Sequence, residues 1–233
     1  MRTVVILGVL VLSGVCAANA DPVQIYSSFA GTENPYASTG GYGLGAQRTI
    51  AAQFIASESA FLQISQIVLT RTSDAPAPGN PDFSVVLATD AGLQPGVPIE
   101  SWSLNLSALP VAQGSIRPAP VDLVSVSSPL LTAGTAYWLM VSAPVDFAPF
   151  PAVLSWNLSN IGVQGPVLRS DGGGPFIVVS PPLSPAYRFI GALEPTPEPA
   201  TLSLVGLALL GVTRMKQRHA HPLLSGAAGH SQG

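Results

Sequence analysis

Charge is scarce in this chain. Lys+Arg number 9 and Asp+Glu 12, so 9% of its 233 residues are charged, against roughly 25% in ordinary soluble domains. Lysine occurs once, as Lys216, and cysteine once, as Cys16, while the histidines are His219, His221 and His230. The 174 residues from Asp21 to Glu194 therefore contain no Lys, His or Cys. That removes a disulfide framework, the usual zinc and copper ligands, Cys-His and Ser-His-Asp centres, and lysine Schiff bases. Only carboxylates are left as a general base near neutral pH. A formal net charge of −3 gives no electrostatic footprint for nucleic acid. Long helices and coiled coils are excluded by 23 Gly and 23 Pro, and the lack of a strict glycine period excludes collagen.

The body has hydroxyls where charge is missing. Asp21 to Glu194 holds 21 Ser and 8 Thr, with five Arg against eleven acids, a net charge of −6. The mean hydropathy of +0.43 comes in part from two apolar ends.

The first end reads as a signal peptide, residues 1–20. Arg2 supplies positive charge, Val4 to Leu12 an apolar stretch too short to span a membrane, and Ala18-Asn19-Ala20 a small-x-small cleavage site before Asp21. The alternatives are a buried N-terminal strand and a lipoprotein signal at Cys16, but Val15 stands where a lipoprotein needs a small residue. The second end runs Pro197-Glu198-Pro199-Ala200-Thr201, then an uncharged stretch to Thr213, then Arg214, Lys216 and Arg218. The 14 residues from Ala200 to Thr213 make about 21 Å of helix, short of the roughly 30 Å of a hydrocarbon core. The basic cluster would stay cytoplasmic and leave the body outside.

On these residues the segment 195–218 resembles the PEP-CTERM sorting signal of Gram-negative bacteria, with its Pro-Glu-Pro motif, short apolar helix and basic end. The resemblance implies recognition by an exosortase, a membrane processing enzyme, with removal of the tail near Pro-Glu-Pro. It also implies transient inner-membrane anchoring and delivery to the cell surface or extracellular polysaccharide matrix. Fifteen further residues, 219–233, follow the basic cluster, where members of the family usually stop, and are expected to form a disordered tail. A simple C-terminal membrane anchor is the alternative.

Between the ends, residues 21–194 have the period of strands. Phe83, Val85 and Leu87 alternate with Ser84, Val86 and Ala88; Trp102, Leu104 and Leu106 alternate with Ser101, Ser103 and Asn105. Tyr137, Leu139 and Val141 oppose Trp138 and Met140, which predicts a central strand. Leu154, Trp156 and Leu158 alternate with Val153, Ser155 and Asn157. Further strands are expected at Val23–Phe29, Thr49–Ile55, Phe61–Thr72 with a slip near Ser65-Gln66 that suggests a bulge or two short strands, Val121–Val126, Phe176–Ser180 and Tyr187–Leu193. Turns fall at Asp74–Pro81, Gly92–Gly96 and Asp171–Pro175. About ten short strands predict an all-β fold, an antiparallel β-sandwich of jelly-roll type, flanked by an N-terminal signal helix and a C-terminal hydrophobic helix.

The segments Ile50–Phe54, Ile67–Leu69, Ala88–Gly96 with Glu100-Ser-Trp102, Leu131–Leu139, Trp156-Asn157 and Ser170–Gly173 are together similar to the choice-of-anchor R domain, a bacterial surface module. That resemblance implies a β-sandwich and surface exposure, with no activity or ligand attached. Where its members often have an aromatic residue after the late glycines, Pro175 and Phe176 follow here.

Candidate sites can be weighed residue by residue. Trp102 and Trp156 keep phase with core leucines, and Trp138 faces the same way as Met140. Tyr36 and Tyr42, in a glycine-rich loop at 31–45, are the better candidates for a sugar-stacking surface. Asp74, Asp82, Asp90 and Asp171 sit at expected strand ends, where calcium would look for oxygen ligands, without a D-x-D-x-D-G pattern. Glu58, Glu100, Asp122 and Asp146 are the carboxylates a glycosidase would need to pair. Asn105-Leu-Ser107 and Asn157-Leu-Ser159 match the glycosylation pattern, and His219-Ala-His221 lies in the tail. The expectation is a non-enzymatic, secreted, exosortase-processed surface protein of the exopolysaccharide or biofilm matrix. Its partners are signal peptidase, exosortase, transiently the membrane, and extracellular polysaccharide, with no cofactor. A carbohydrate-binding module is the first alternative and a carboxylate-dependent glycosidase the second.

Overall fold

The computed structural model describes residues 21–29, 36–45, 47–71, 82–111, 118–144, 154–160 and 165–194, with only the backbone at 37–39. The signal peptide, the sorting segment with its expected helix, the tail, Asp74 and Asp146 lie outside the described residues. Among the described residues no helix is long and apolar enough to cross a membrane.

The strands, in chain order, are β1 (Pro22–Ser27), β2 (Tyr36–Leu44), β3 (Arg48–Ile55), β4 (Ala60–Ile67), β5 (Leu69–Arg71), β6 (Asp82–Asp90) and β7 (Pro95–Asn105). After a 3₁₀ turn at Leu106–Ala108 come β8 (Val121–Val124), β9 (Leu130–Leu131), β10 (Ala136–Ser142), β11 (Leu154–Ser159), β12 (Val167–Asp171), β13 (Ile177–Val178) and β14 (Tyr187–Ala192). The expected strand phases hold: Phe83, Val85 and Leu87 point inward, as do Tyr137, Leu139 and Val141.

Every strand ladder is antiparallel, and the strands form three sheets. A large sheet runs β13-β12-β3-β10-β6-β7, with β10 inside it as its two apolar faces predict. A terminal sheet runs β1-β14-β4-β8, with β9 also on β4, and a small sheet runs β2-β11-β5. The structure thus shows an antiparallel all-β body; it does not establish a jelly-roll connection of the strands.

One interior cluster takes side chains from all three sheets. At its centre Phe54 of the large sheet stacks on Phe189 of the terminal sheet, with ring centroids 4.5 Å apart. Tyr187 lies edge-on to Phe189 and tilts against Trp156 of the small sheet. Trp156, Tyr187 and Phe189 are fully buried, and burying each such ring stabilises the fold by about 1.5–3 kcal/mol.

Four expectations need correction. Tyr36–Leu44 is a strand, not a loop, because it pairs with β11 from Tyr36↔Ser159 to Leu44↔Leu154. β9 and β12 carried no strand assignment in the sequence; they form because long-range partners, β4 and β3, supply their ladders. The irregularity of β4 falls at Gln63, where the register against β14 shifts, and not at Ser65-Gln66. The segment does divide into two strands, β4 and β5, at Val68, whose N–H donates to Ala186 O at 3.0 Å and whose carbonyl accepts from Asn157 N at 3.0 Å. That pair of bonds turns the chain from the terminal sheet into the small one. Finally, β7 begins at Pro95, inside the expected turn.

Candidate functional site

The terminal strands fix where the body's chain enters and leaves its fold, next in sequence to the two end segments. β1 begins one residue after Asp21, and its first residue, Pro22, pairs with Ala192, the last of β14. Antiparallel pairing therefore brings the body's entry and exit together at one end of one sheet. Asp21, Leu193 and Glu194 are exposed there. Three residues beyond Glu194 stands Pro197. β14 itself is held between β1 and β4, so the strand leading into the sorting segment is inside its sheet. Of the processing residues named from the sequence, only Asp21 is described; Ala18, Ala20, Pro197, Glu198, Pro199, Ala200, Thr201, Arg214, Lys216 and Arg218 are outside the described residues.

The aromatic candidates are committed to the fold. Tyr36 is buried and donates its hydroxyl to Pro118 O. Half-buried Tyr42 donates to Leu183 O at 2.6 Å and accepts from Leu183 N at 3.1 Å. Neither tyrosine is an open stacking surface, which corrects the loop reading. Trp102 packs partly against the interior, and its indole N–H reaches Val124 O at 2.9 Å, from the large sheet to the terminal one. Glu100, two residues earlier, makes a second link of this kind. Its carboxylate accepts Ser125 Oγ at 2.6 Å, Val126 N at 2.5 Å and Ser127 N at 3.2 Å. Glu100 and Trp102 together clip the edge strand β7 to the loop after β8.

The other acids are dispersed. Glu58 is exposed in the bend between β3 and β4, and Asp122 lies on the outer face of β8, accepting Gln66 Nε2 at 2.6 Å. Asp82 accepts from Asn105 at 3.0 Å. Asp171 lies 2.8 Å from Arg48 Nε and 2.9 Å from Arg169 Nε. The Arg48 hydrogen bond, followed by the charges of Arg48 and Arg169, holds its carboxyl below the usual range. Among the described residues no group of three or more His, Cys, Asp or Glu could hold a metal. Asn157 is buried and accepts Thr70 Oγ1 at 2.9 Å, so it is not a modification acceptor in the folded body.

Two arrangements were not foreseen. Asp90, at the end of β6, collects four donors: Trp138 Nε1 at 2.7 Å, Gln53 Nε2 at 2.8 Å, and the backbone N–H groups of Gly92 and Leu93. The Trp138 bond is the main reason its carboxyl is held below the ordinary value. Trp138 sits on the outer face of the large sheet with Met140, Ala51, Leu168 and Phe176, yet is fully buried. The Asp90-Ala-Gly92 turn was a visible signal for the backbone part of this hub; Gln53 and Trp138 carried none.

The second is a row of hydroxyls on the same face. Ser170↔Thr49, Thr49↔Ser142, Ser142↔Ser84 and Ser84↔Ser103 are direct register pairs across β12, β3, β10, β6 and β7. Thr49 Oγ1 and Ser142 Oγ are 2.8 Å apart. Strand spacing places successive members about 4.8 Å apart. Each residue lies on the outward side of its own strand, and only the register lines them up.

The class these features define is an exported antiparallel β-domain with a processing signal after its last strand. A family model described as the PEP-CTERM protein-sorting motif matches residues 195–218. That match marks the chain as exported, transiently anchored by its C-terminal segment, and sorted by an exosortase to an extracellular or surface location. Comparison with curated proteins finds no match.

Proposed function

We propose that the body, residues 21–194, is the cargo of this sorting route and has no catalytic activity of its own. In this reading signal peptidase cuts after Ala20, and exosortase cuts within Pro197–Thr201 while Arg214, Lys216 and Arg218 hold the segment at the cytoplasmic side. The body is then a β-sandwich of jelly-roll type, similar to the choice-of-anchor R domain, in the surface layer or exopolysaccharide matrix of a Gram-negative bacterium. The observation that carries the proposal is the sorting motif at 195–218, placed directly after a strand inside its sheet. Such a strand resists being drawn into a processing enzyme, so cleavage falls in the segment beyond Glu194.

Fractionation of producing cells tests this. The intact chain is expected outside the cell and shorter by the tail, and a chain lacking 195–218 is expected to change location. Pro197→Ala with Glu198→Ala is expected to accumulate uncut in the inner membrane. Cytoplasmic location of all three forms would overturn the proposal.

The hydroxyl row favours a second reading, a carbohydrate-binding module. Ser170 is buried and donates to Gly174 O at 2.6 Å, but Thr49, Ser142, Ser84 and Ser103 are part-exposed or exposed and offer a polymer regularly spaced donors and acceptors without a charge requirement. Pull-down with the producer's own polysaccharide, comparing the intact protein with Thr49→Val plus Ser142→Val, distinguishes it. Equal retention of both forms, or retention of neither, would remove it.

A further inference from the structure

The outer face of the terminal sheet carries a part-exposed apolar patch that is self-complementary across β14, β4 and β8 with β9. From β14 across to β8 and β9 its outward residues form three rows read directly from the register, which β1 continues at one edge with Ser27, Gln24 and Pro22. The first crosses β14, β4 and β8 as Arg188, Gln66 and Asp122; the second as Ile190, Ile64 and Val124. The third crosses β14, β4 and β9 as Ala192, Phe61 and Leu130. Val124 is 65% exposed and Leu130 53%. Phe61, Ile64 and Ile190 belong neither to the interior cluster nor to the residues packed on it. Six apolar side chains thus share one sheet face outside the interior cluster, Val124 and Leu130 exposed and Phe61, Ile64, Ile190 and Ala192 half-buried.

The polar row indicates the kind of partner. Arg188 Nε donates to Gln66 Oε1, and Gln66 Nε2 donates to Asp122 Oδ1 at 2.6 Å. The row is therefore positive at one end, neutral in the middle and negative at the other. Neither Arg188 nor Asp122 has an ion-pair partner among the described residues; the ion pairs there join Asp171 to Arg48 and Arg169. A twofold axis along β4 would reverse such a row upon itself. Arg188 would then face the partner's Asp122 twice, and Gln66 would face its own copy. The apolar rows follow the same rule, with Ile190 over the partner's Val124, Ala192 over the partner's Leu130, and Ile64 and Phe61 over themselves. Large residues meet smaller ones at both flanks. Two like sheets stack face to face in this way about 10 Å apart.

We propose that this face is the seat of a second copy of the chain, forming an isologous dimer through Phe61, Ile64, Val124, Leu130 and Ile190, with paired Arg188–Asp122 bridges at its rim. The body's lack of cysteine makes the register directly testable. In the full chain, held in mild detergent with Cys16→Ser, Ile64→Cys lies on the axis, and Ile55→Cys, on the large sheet's exposed outer face, is the control. A short bis-maleimide is expected to convert Ile64→Cys to covalent dimer about tenfold faster than the control, since only the first pair is held together. Asp122→Arg is expected to weaken dimerisation about tenfold, by setting arginine against Arg188, and Arg188→Asp added to it to restore the affinity. Sedimentation reads the affinities, and near-UV circular dichroism confirms that each variant is folded. Equal crosslinking at the two positions, a monomeric intact chain at all concentrations, or a double exchange as weak as the single one would overturn the dimer. If Asp122→Arg does not fold, the crosslinking rates alone decide. Neither measurement depends on exosortase processing.

Discussion

Replacing Asp90 with alanine removes the acceptor for four donors at once. Trp138 is fully buried, and its indole N–H loses a charge-assisted bond of 2.7 Å that water entering beside part-exposed Asp90 replaces only in part, a penalty of about 1–3 kcal/mol. Gln53 Nε2 loses a charge-assisted bond of 2.8 Å but is part-exposed and can turn to solvent. The Gly92 and Leu93 N–H groups, at 3.1 and 3.5 Å, are exposed and rehydrate at little loss. The expected total is about 2–4 kcal/mol, or a Tm lowered by roughly 5–12 °C for a body of this size. Asp90→Asn keeps an acceptor oxygen and should lose only about 1 kcal/mol, the charge assistance. Asp82→Ala, which gives up one exposed bond to Asn105, should stay within about 0.5 kcal/mol. Urea unfolding followed by tryptophan fluorescence measures all three. pH supplies an independent check. The folded carboxyl of Asp90 is depressed, so its contribution is present above the unfolded value near 3.9 and is lost as pH falls through the lower folded value. The gap between the intact protein and Asp90→Asn should therefore close in acid below about pH 3.9. An Asp90→Ala loss under about 0.5 kcal/mol, or a gap unchanged in acid, would refute the account of Asp90 as the support of Trp138.

Two further outcomes follow from the interior. Burial raises the phenols of Tyr187 and Tyr26, with Tyr26 adding to the shift at Tyr187. The folded state thus holds these protons more tightly, and their stabilisation is full below about pH 10 and lost as pH rises through the folded values. The urea midpoint should be level around neutrality and fall above about pH 10, less steeply in Tyr187→Phe. A β-carbon at Gly191 would sit 2.7 Å from Phe61 O and from Ile25 Cδ1, and 2.9 Å from Ala60 Cβ. Gly191→Ala should therefore cost about 1–3 kcal/mol, read as a lower thermal midpoint, because the neighbouring strand's backbone cannot withdraw.

Export, processing and strand content were legible without coordinates because each is written in local order. The Pro-Glu-Pro segment is recognised as a contiguous stretch, and the alternation at Phe83–Leu87 or Tyr137–Val141 shows itself within a few residues. The inward phase of Trp156 and the central place of β10 were legible for the same reason. The Tyr36 strand was not. Its glycines at 40, 41 and 43 read locally as a loop, and partners more than a hundred residues away turn it into a ladder. The support of Trp138 by Asp90 was hidden too, because period alone cannot say what lies beyond the second face of a strand.

The sequence by itself determined that this is a β-protein addressed out of the cell, with a body, residues 21–194, free of lysine and cysteine. It also determined which side of most strands is apolar. The tertiary structure alone decided which strands are neighbours. That choice closes β1 on β14, aligns five hydroxyls across the large sheet, and sets Arg188, Gln66 and Asp122 in one row. The physical reason is register. Alternation repeats every two residues and fixes only the face of a side chain, whereas its neighbours across the sheet depend on hydrogen bonds between segments far apart in the chain.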